Sequence, residues 1–518
     1  MKNILKVGVV ALASVSLLSG CIKETFPTSV ATSEQVESNP VGLEAMVNGM
    51  AAFLNSYDVQ GGGQAYDWGY PSIGLIREAM GDWLALSSSG YEWYGSWQQN
   101  SNLGEQYARQ QFIWNFYTQY INTSNSVLRQ LSIETASDLE KPYLAMAYCY
   151  RAHAYLDMGQ MYEFKINDYT TAPEVVGLTV PIVDENTTEA VAANNPRVSK
   201  EVMAEFIEGD LDNAIALFGE GYKRSSVTQP DLSVAYGLKA RLYMWTGEYD
   251  KAKDAAQKAL AAGHYTPLTE AEWTNTSTGF NKATSAWMWA SSTVKEDRVV
   301  TSGILNWISW ISSETSFGYA AAGAYRYAAT AFYNKIADTD FRKLSWKAPE
   351  DSDLEVPLVE STADYDNSWL DEYTAVKFRP GSGNPDEYDV AAVADYPLMR
   401  MEEMEFIIAE CDAREGNIAT LEEFIQTYRN PEYQVTSRDL VEEVLLQKTI
   451  EFWGEGIIYF DYKRMDHSIT RSTSENFPSS AVLDTYGLAP WMNFVAVQTE
   501  PLNNRAFINN PDPSGTVK

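Results

Sequence analysis

Residues 231–265, DLSVAYGLKARLYMWTGEYDKAKDAAQKALAAGHY, constrain the fold more than any other stretch. Tyr236, Ala240 and Tyr243 stand at i, i+4 and i+7, the spacing of a stripe on one helical face. Gly247 follows, where a helix end can enter the left-handed region without Cβ strain. Tyr249, Ala252, Ala255, Ala256 and Ala259 then restart the helical period. The stretch predicts two antiparallel helices joined by a tight turn. Small alanines permit their close approach, and Tyr and Trp fill the gaps.

The spacing recurs. Tyr148, Ala152, Tyr155 and Gly159 repeat the offsets of Tyr236, Ala240, Tyr243 and Gly247. Glu405, Ala409, Asp412 and Gly416 repeat them in degraded form. The hairpin resembles a tetratricopeptide repeat, with Trp245 to Tyr249 as its turn and Ala252 and Ala259 in its second helix. Several such hairpins predict an all-α scaffold with an irregular, loop-rich subdomain. Because a scaffold of this kind positions loops, function is sought where the chain departs from the repeat.

The chain has 518 residues, 45% of them hydrophobic, enough for a large core. Its formal charge of −32 repels phosphate backbones, so no nucleic-acid partner is expected. Lys2 and Lys6 precede the apolar run VGVVALASVSLL, too short to span a bilayer, and Leu18-Ser19-Gly20-Cys21 follows. This resembles a bacterial lipobox. The resemblance implies a signal peptide over residues 1–20, a diacylated Cys21, and attachment to a membrane without a transmembrane helix. Residues 21–40 are polar and read as a tether. Cys149 and Cys411 lie inside helical patterns; an exported setting allows a disulfide between them, and two buried free thiols are the favoured reading.

From residue 41 the scaffold is expected over about 41–265 and 397–455. Its helices fall near 106–130, 141–162, 397–416 and 437–453, and another follows Ser199. Ser199 and Ser437 are the expected N-caps. The loop-rich subdomain covers about 273–396 and 470–518. Two segments carry rings outside the helical repeats, the first among turn formers and amides, the second in a region rich in Ser, Thr and Gly. Residues 87–104 hold Tyr91, Trp93, Tyr94 and Trp97; residues 301–327 hold Trp307, Trp310, Phe317 and Tyr319. Sugar rings pack their C–H faces on aromatic rings and offer hydroxyls to amides. Trp97 with Asn100 three residues on is therefore expected to form a stacking platform beside a hydrogen-bonding group. The candidate ligand set is Trp93, Tyr94, Trp97, Asn100, Trp307, Trp310 and Tyr319.

Catalytic signatures are not seen: there is no His-Glu-x-x-His, no Gly-x-Ser-x-Gly and no phosphate loop. Of three histidines, His153 reads as a packed core residue and His264 sits just past a helix end. Among 70 Asp and Glu, some pair will always lie close, so glycosidase-like carboxylate pairs carry no specificity. A calcium ion would be sought at Asp351–Asp371 or Asn384–Asp389, but no stretch has the twelve-residue EF-hand spacing. No metal or cofactor is otherwise expected.

The C-terminal half carries a more specific pattern. Arg400-Met401-Glu402-Glu403 followed by Ala409-Glu410 is similar to the Arg-x-x-Glu and Ala-Glu helix of the SusD/RagB family of outer-membrane nutrient-binding lipoproteins. Glu451, Glu455 and Gly456, then Tyr459-Phe460-Asp461-Tyr462-Lys463-Arg464, resemble its second signature, with Tyr462 in place of the usual Leu. Asp340 with Arg342, Lys377-Phe378, and Trp114, Tyr117, Ile121 and Asn125 also match. Physically, Arg400, Glu403, Glu455, Asp461 and Arg464 read as charge-assisted pairs locking helices together. The resemblance implies a surface-exposed outer-membrane lipoprotein without catalytic activity. It implies capture of a nutrient, commonly a glycan, on the aromatic loops and its delivery to a SusC-like TonB-dependent transporter. Peptide binding and a purely structural lid on the transporter are the alternatives, with a glycoside hydrolase behind them.

Overall fold

Asp231 accepts the Val234 N–H at 3.1 Å and opens a helix, and Gly247 closes it at φ 80°, ψ 18°. The expected hairpin follows. The computed structural model describes residues 40–219, 221–302, 307–361 and 369–518. The signal peptide, Cys21 and nearly all of the tether lie outside the described residues. The chain divides into residues 1–45 and 46–518, and the packing below is that of the second unit. Its main helices, with the one that crosses the division, are α1 (Pro40–Phe53), α2 (Tyr70–Ala79), α3 (Ala108–Gln130), α4 (Lys141–Tyr162), α5 (Lys200–Phe218), α6 (Leu232–Thr246), α7 (Tyr249–Ala261), α8 (Met401–Arg414), α9 (Ala419–Tyr428), α10 (Leu440–Phe452) and α11 (Ile458–Arg464).

Each scaffold helix packs on the next: α3 on α4, α4 on α5, and so on to α7, which packs directly on α8. Residues 262–400 are thus an insertion between consecutive helices of one solenoid-like series. Ala252, Ala255, Ala256 and Ala259 are buried on α7, as the alanine face requires. A Cβ at Gly159 would lie 3.0 Å from Trp245, so this glycine lets α4 approach the end of α6. Trp114, Tyr117, Ile121 and Asn125 are all buried on α3. Ser199 caps α5, accepting from the Val202 N–H. Cys149 and Cys411 are buried and free.

The all-α scaffold with a loop-rich insertion is as expected, and two boundary expectations need correction. Four short strands interrupt the helical plan: β1 (Leu84–Leu86), β2 (Trp287–Ser292), β3 (Arg326–Ala328) and β4 (Asp395–Arg400). β1 pairs antiparallel with β3, Leu84 opposite Ala328; β2 pairs antiparallel with β4, Trp287 opposite Arg400. The helix expected over 397–416 starts only at Met401. Pro397 has no N–H and keeps its predecessor out of the α region, so the preceding turn is strand. Asp439, not Ser437, caps α10, accepting from the Val441 and Glu442 N–H groups. Ser437 lies two residues too early and bonds to the Asp439 backbone instead.

The family-motif residues form buried ion clusters rather than one set. Arg400 meets Glu455 at 2.9 Å, Glu402 at 2.8 Å and Glu451 at 3.1 Å. Arg429 joins Glu451 at 2.8 Å and Glu402 at 3.1 Å, Arg342 bridges Asp340 and Glu451, and Lys377 reaches Glu455 at 2.8 Å. Burial pushes the Glu451 carboxyl up, but Arg429, Arg400 and Arg342 outweigh it and hold the group well below the usual range. Glu403 pairs separately with Arg241 at 2.6 Å. Asp461 and Arg464, 2.7 Å apart, form a third group with Glu410 and Lys448. All of these tie helices and inserted strands together.

Candidate ligand-binding site

The loop 87–104 owes its shape to small and amide residues. Asn100 and Asn102 take positive φ of 46° and 57°, which Asn tolerates better than most residues. Only one helical turn, Gly95–Gln98, interrupts it. The β1–β3 pairing sets this loop beside residues 319–326. Glu92 then meets Arg326 at 2.5 Å, with both side chains buried. Burial raises the Glu92 carboxyl, and Arg326 opposes the rise.

Around that ion pair the rings converge. The Arg326 guanidinium lies 5.4 Å from the Tyr94 ring and 5.1 Å from Trp310. Trp310 stacks on Tyr319 at 3.7 Å and 15°, and meets Tyr94 edge-on at 5.0 Å. Trp97 sits 5.9 Å from Tyr94 and packs edge-on against Tyr66 at 5.3 Å. Tyr94 Oη hydrogen-bonds Ser72 at 2.7 Å, and Trp310 Nε1 donates to the Ala65 carbonyl at 3.0 Å. The two aromatic segments picked out in the sequence therefore meet, with residues 65–72 as a third contributor.

The meeting place is interior, which corrects most of the expected site. Tyr94, Trp97, Trp310 and Tyr319 are exposed by 1, 0, 2 and 7%. Trp307 is also buried, edge-on to Tyr396 at 6.0 Å. These rings are packed against one another and present no open stacking face. Asn100 is buried too, and its Nδ2 donates to the Pro513 carbonyl at 2.8 Å, tethering the C-terminal segment. The Trp97–Asn100 platform is thus a structural joint. Of the expected residues only Trp93 is open, at 44%, with Tyr91 beside it at 59%.

Sequence reasoning passed over the half-buried rings of Tyr325 and Trp369, 5.7 Å apart. Tyr325 flanks β3, whose first residue Arg326 is held by Glu92 of the Trp93 loop. The alternation Tyr325-Arg326-Tyr327 was its only sequence signal. Arg109, over the Tyr66 and Trp97 rings, was also missed. His153 is buried as expected. Its Nε2 lies 3.2 Å from Tyr70 Oη, and burial pushes its pKa down to about 4. Among the described residues no group of three or more His, Cys, Asp or Glu is placed to hold a metal ion, and no helix is long and apolar enough to cross a membrane.

A series of helical hairpins with a long aromatic-rich insertion defines a class of helical-repeat scaffolds. Residues 50–244 match the family model SusD-like_3, described as starch-binding and associating with the outer membrane. Solved structures share the fold over almost the whole chain. A SusD-like carbohydrate binding protein from Bacteroides vulgatus is 20% identical, with a TM-score of 0.70 over 90% of this chain and 97% of its own. A putative sugar binding protein from the same organism is 20% identical, with a TM-score of 0.67 over 91% and 98%. Surface glycan-binding protein A from Bacteroides uniformis is 16% identical, with a TM-score of 0.67 over 91% and 99%. No curated protein matches the chain in sequence. The chain thus has the SusD-like fold over almost its whole length, and its residues 50–244 match the SusD-like_3 model.

Proposed function

We propose that this chain is a cell-surface glycan-binding lipoprotein, anchored through Cys21, that passes its ligand to a SusC-like TonB-dependent transporter and performs no chemistry on it. The observation that carries the reading is Trp93, open to solvent beside Tyr91 on a loop held by the buried Glu92–Arg326 pair. An exposed aromatic pair on a rigid base costs little to order when a flat ligand docks. The family description and the sugar-binding names of the fold's relatives support the same reading. Tyr94, Trp97, Trp310 and Tyr319 act beneath the surface, holding the loop.

Shallow sites of this kind bind weakly, on the order of micromolar to millimolar, and many tethered copies offset the weakness. Tryptophan-fluorescence titration against oligosaccharides and peptides tests the reading. A saturable response to one glycan class, lost in Trp93→Ala, with no new reducing ends after long incubation, is the expected outcome. A response to peptides alone would move the ligand class. Released reducing ends would overturn the non-catalytic role. A flat response to every ligand would favour a structural lid.

A further inference from the structure

Arg109 opens α3 at its second residue and is half-buried. Its guanidinium lies 5.9 Å from the Tyr66 ring centroid and 5.9 Å from that of Trp97. Its Nε is buried without a hydrogen-bond partner, and no carboxylate among the described residues pairs with it. Buried Arg197 and Arg471 also lack a carboxylate, but backbone carbonyls satisfy them, whereas the Arg109 Nε has no such partner. Arg326, in the same ring cluster, has Glu92; Arg342, Arg400, Arg429 and Arg464 each have at least one carboxylate. Beside Arg109, the Trp97 Nε1–H is likewise buried and unpartnered.

We infer that the ligand taken at the aromatic site carries an anionic group, the carboxylate or sulfate of an acidic glycan, and that Arg109 binds it. The inference rests on the glycan-binding reading above. Contact with the two rings limits the side-chain entropy that Arg109 loses on binding, and with no carboxylate beside it the guanidinium is left to an oxyanion. Trp97 joins Arg109 to Tyr94, whose chain neighbour is Trp93. Arg109 and Trp93 are therefore both joined to one ring cluster. The acidic surface repels anions at long range, but at about 0.15 M salt that field is screened beyond about 8 Å. The local unpaired cation then decides selectivity. A neutral glycan would give it no partner.

The test compares the purified protein with Arg109→Gln, Arg109→Lys and Trp93→Ala by isothermal titration at about 0.15 M salt. The probes are an oligogalacturonate, a chondroitin sulfate oligosaccharide and a neutral xylo-oligosaccharide of similar length. The wild type should bind one acidic probe about tenfold or more tighter than the neutral one. Which acidic probe wins assigns carboxylate or sulfate. Arg109→Gln should erase the difference, and Arg109→Lys should restore part of it. Circular dichroism confirms that each variant is folded. Equal binding of acidic and neutral probes by the wild type, or an acidic preference that survives Arg109→Gln, overturns the inference while Trp93-dependent glycan binding stands. Binding of none of the probes, with a flat response to the wider panel, would take down both readings.

Discussion

The Glu78 carboxylate on α2 accepts the backbone N–H of Gly456 at 2.7 Å, across 378 residues of chain. It also accepts the Gly454 N–H at 3.0 Å and Trp83 Nε1 at 2.5 Å. The turn that carries Glu455-Gly456 is thereby bolted to a helix near the start of the fold, with no cation among these donors. Burial, opposed by these donors, raises the Glu78 carboxyl to about 7 from a reference of 4.5.

A pH signature follows from that shift. The folded state holds a proton on Glu78 that the unfolded chain releases, so this group's stabilisation is whole below pH 4.5 and is lost as pH rises to about 7. His153 works the other way: its pKa falls from 6.5 to about 4, so stability is lost as pH falls through that window. The two slopes oppose each other over their overlap. Glu78→Gln should unmask the His153 slope, steepening the loss between pH 6.5 and 4 by roughly 1–3 kcal/mol. Urea denaturation at a series of pH values measures it.

Gly456 should not accept a side chain. Its φ is 74°, and a Cβ there would lie 2.4 Å from Gly74 Cα on α2. Both strain and backbone clash apply, so Gly456→Ala should cost more than about 3 kcal/mol. The denaturation midpoint reports it.

Breaking the buried lock should be costly. Glu451 sits among Arg342, Arg400 and Arg429, all buried. Glu451→Gln removes one of the balancing charges and should destabilise by about 3–5 kcal/mol. Chemical denaturation checks the size, and a loss under about 1 kcal/mol would mean that water reaches the cluster.

Two tryptophans four residues apart should behave in opposite ways. Trp97→Ala empties a fully buried site and should cost about 3–5 kcal/mol. Trp93→Ala, in a residue 44% exposed, should leave stability within about 0.5 kcal/mol and abolish the ligand response. Denaturation and ligand titration of both variants separate the roles.

The cysteines give a simple folding probe. Cys149 and Cys411 are buried and free, and burial raises both thiols, that of Cys411 to about 11. Neither should react with a disulfide reagent in the native protein near neutral pH, and both should react in denaturant. Timed absorbance of the released thiolate reads this directly.

Much of the scaffold was legible because its signals are local. The helix expected over 141–162 is α4 to the residue, and that expected over 106–130 is α3 within two residues of its start. Ser199 and Gly247 punctuate helices by chemistry confined to one turn. The β1–β3 ladder was not legible: each strand has three residues, and their partners lie some 240 positions apart, too far for any periodicity to reveal. The same limit hid Arg109, whose meaning lies in the rings it covers and the carboxylate it lacks.

The sequence by itself determined a series of helical hairpins and two ring-bearing segments, because a helical face and a turn are written within seven or so neighbouring residues. Tertiary structure alone decided which rings face solvent. Trp93 and Trp97 share one loop and one composition, yet Tyr66 and Tyr94 pack against Trp97 while Trp93 remains open. Burial is a property of everything that arrives at a site, and Trp310 reaches this one from more than two hundred residues away.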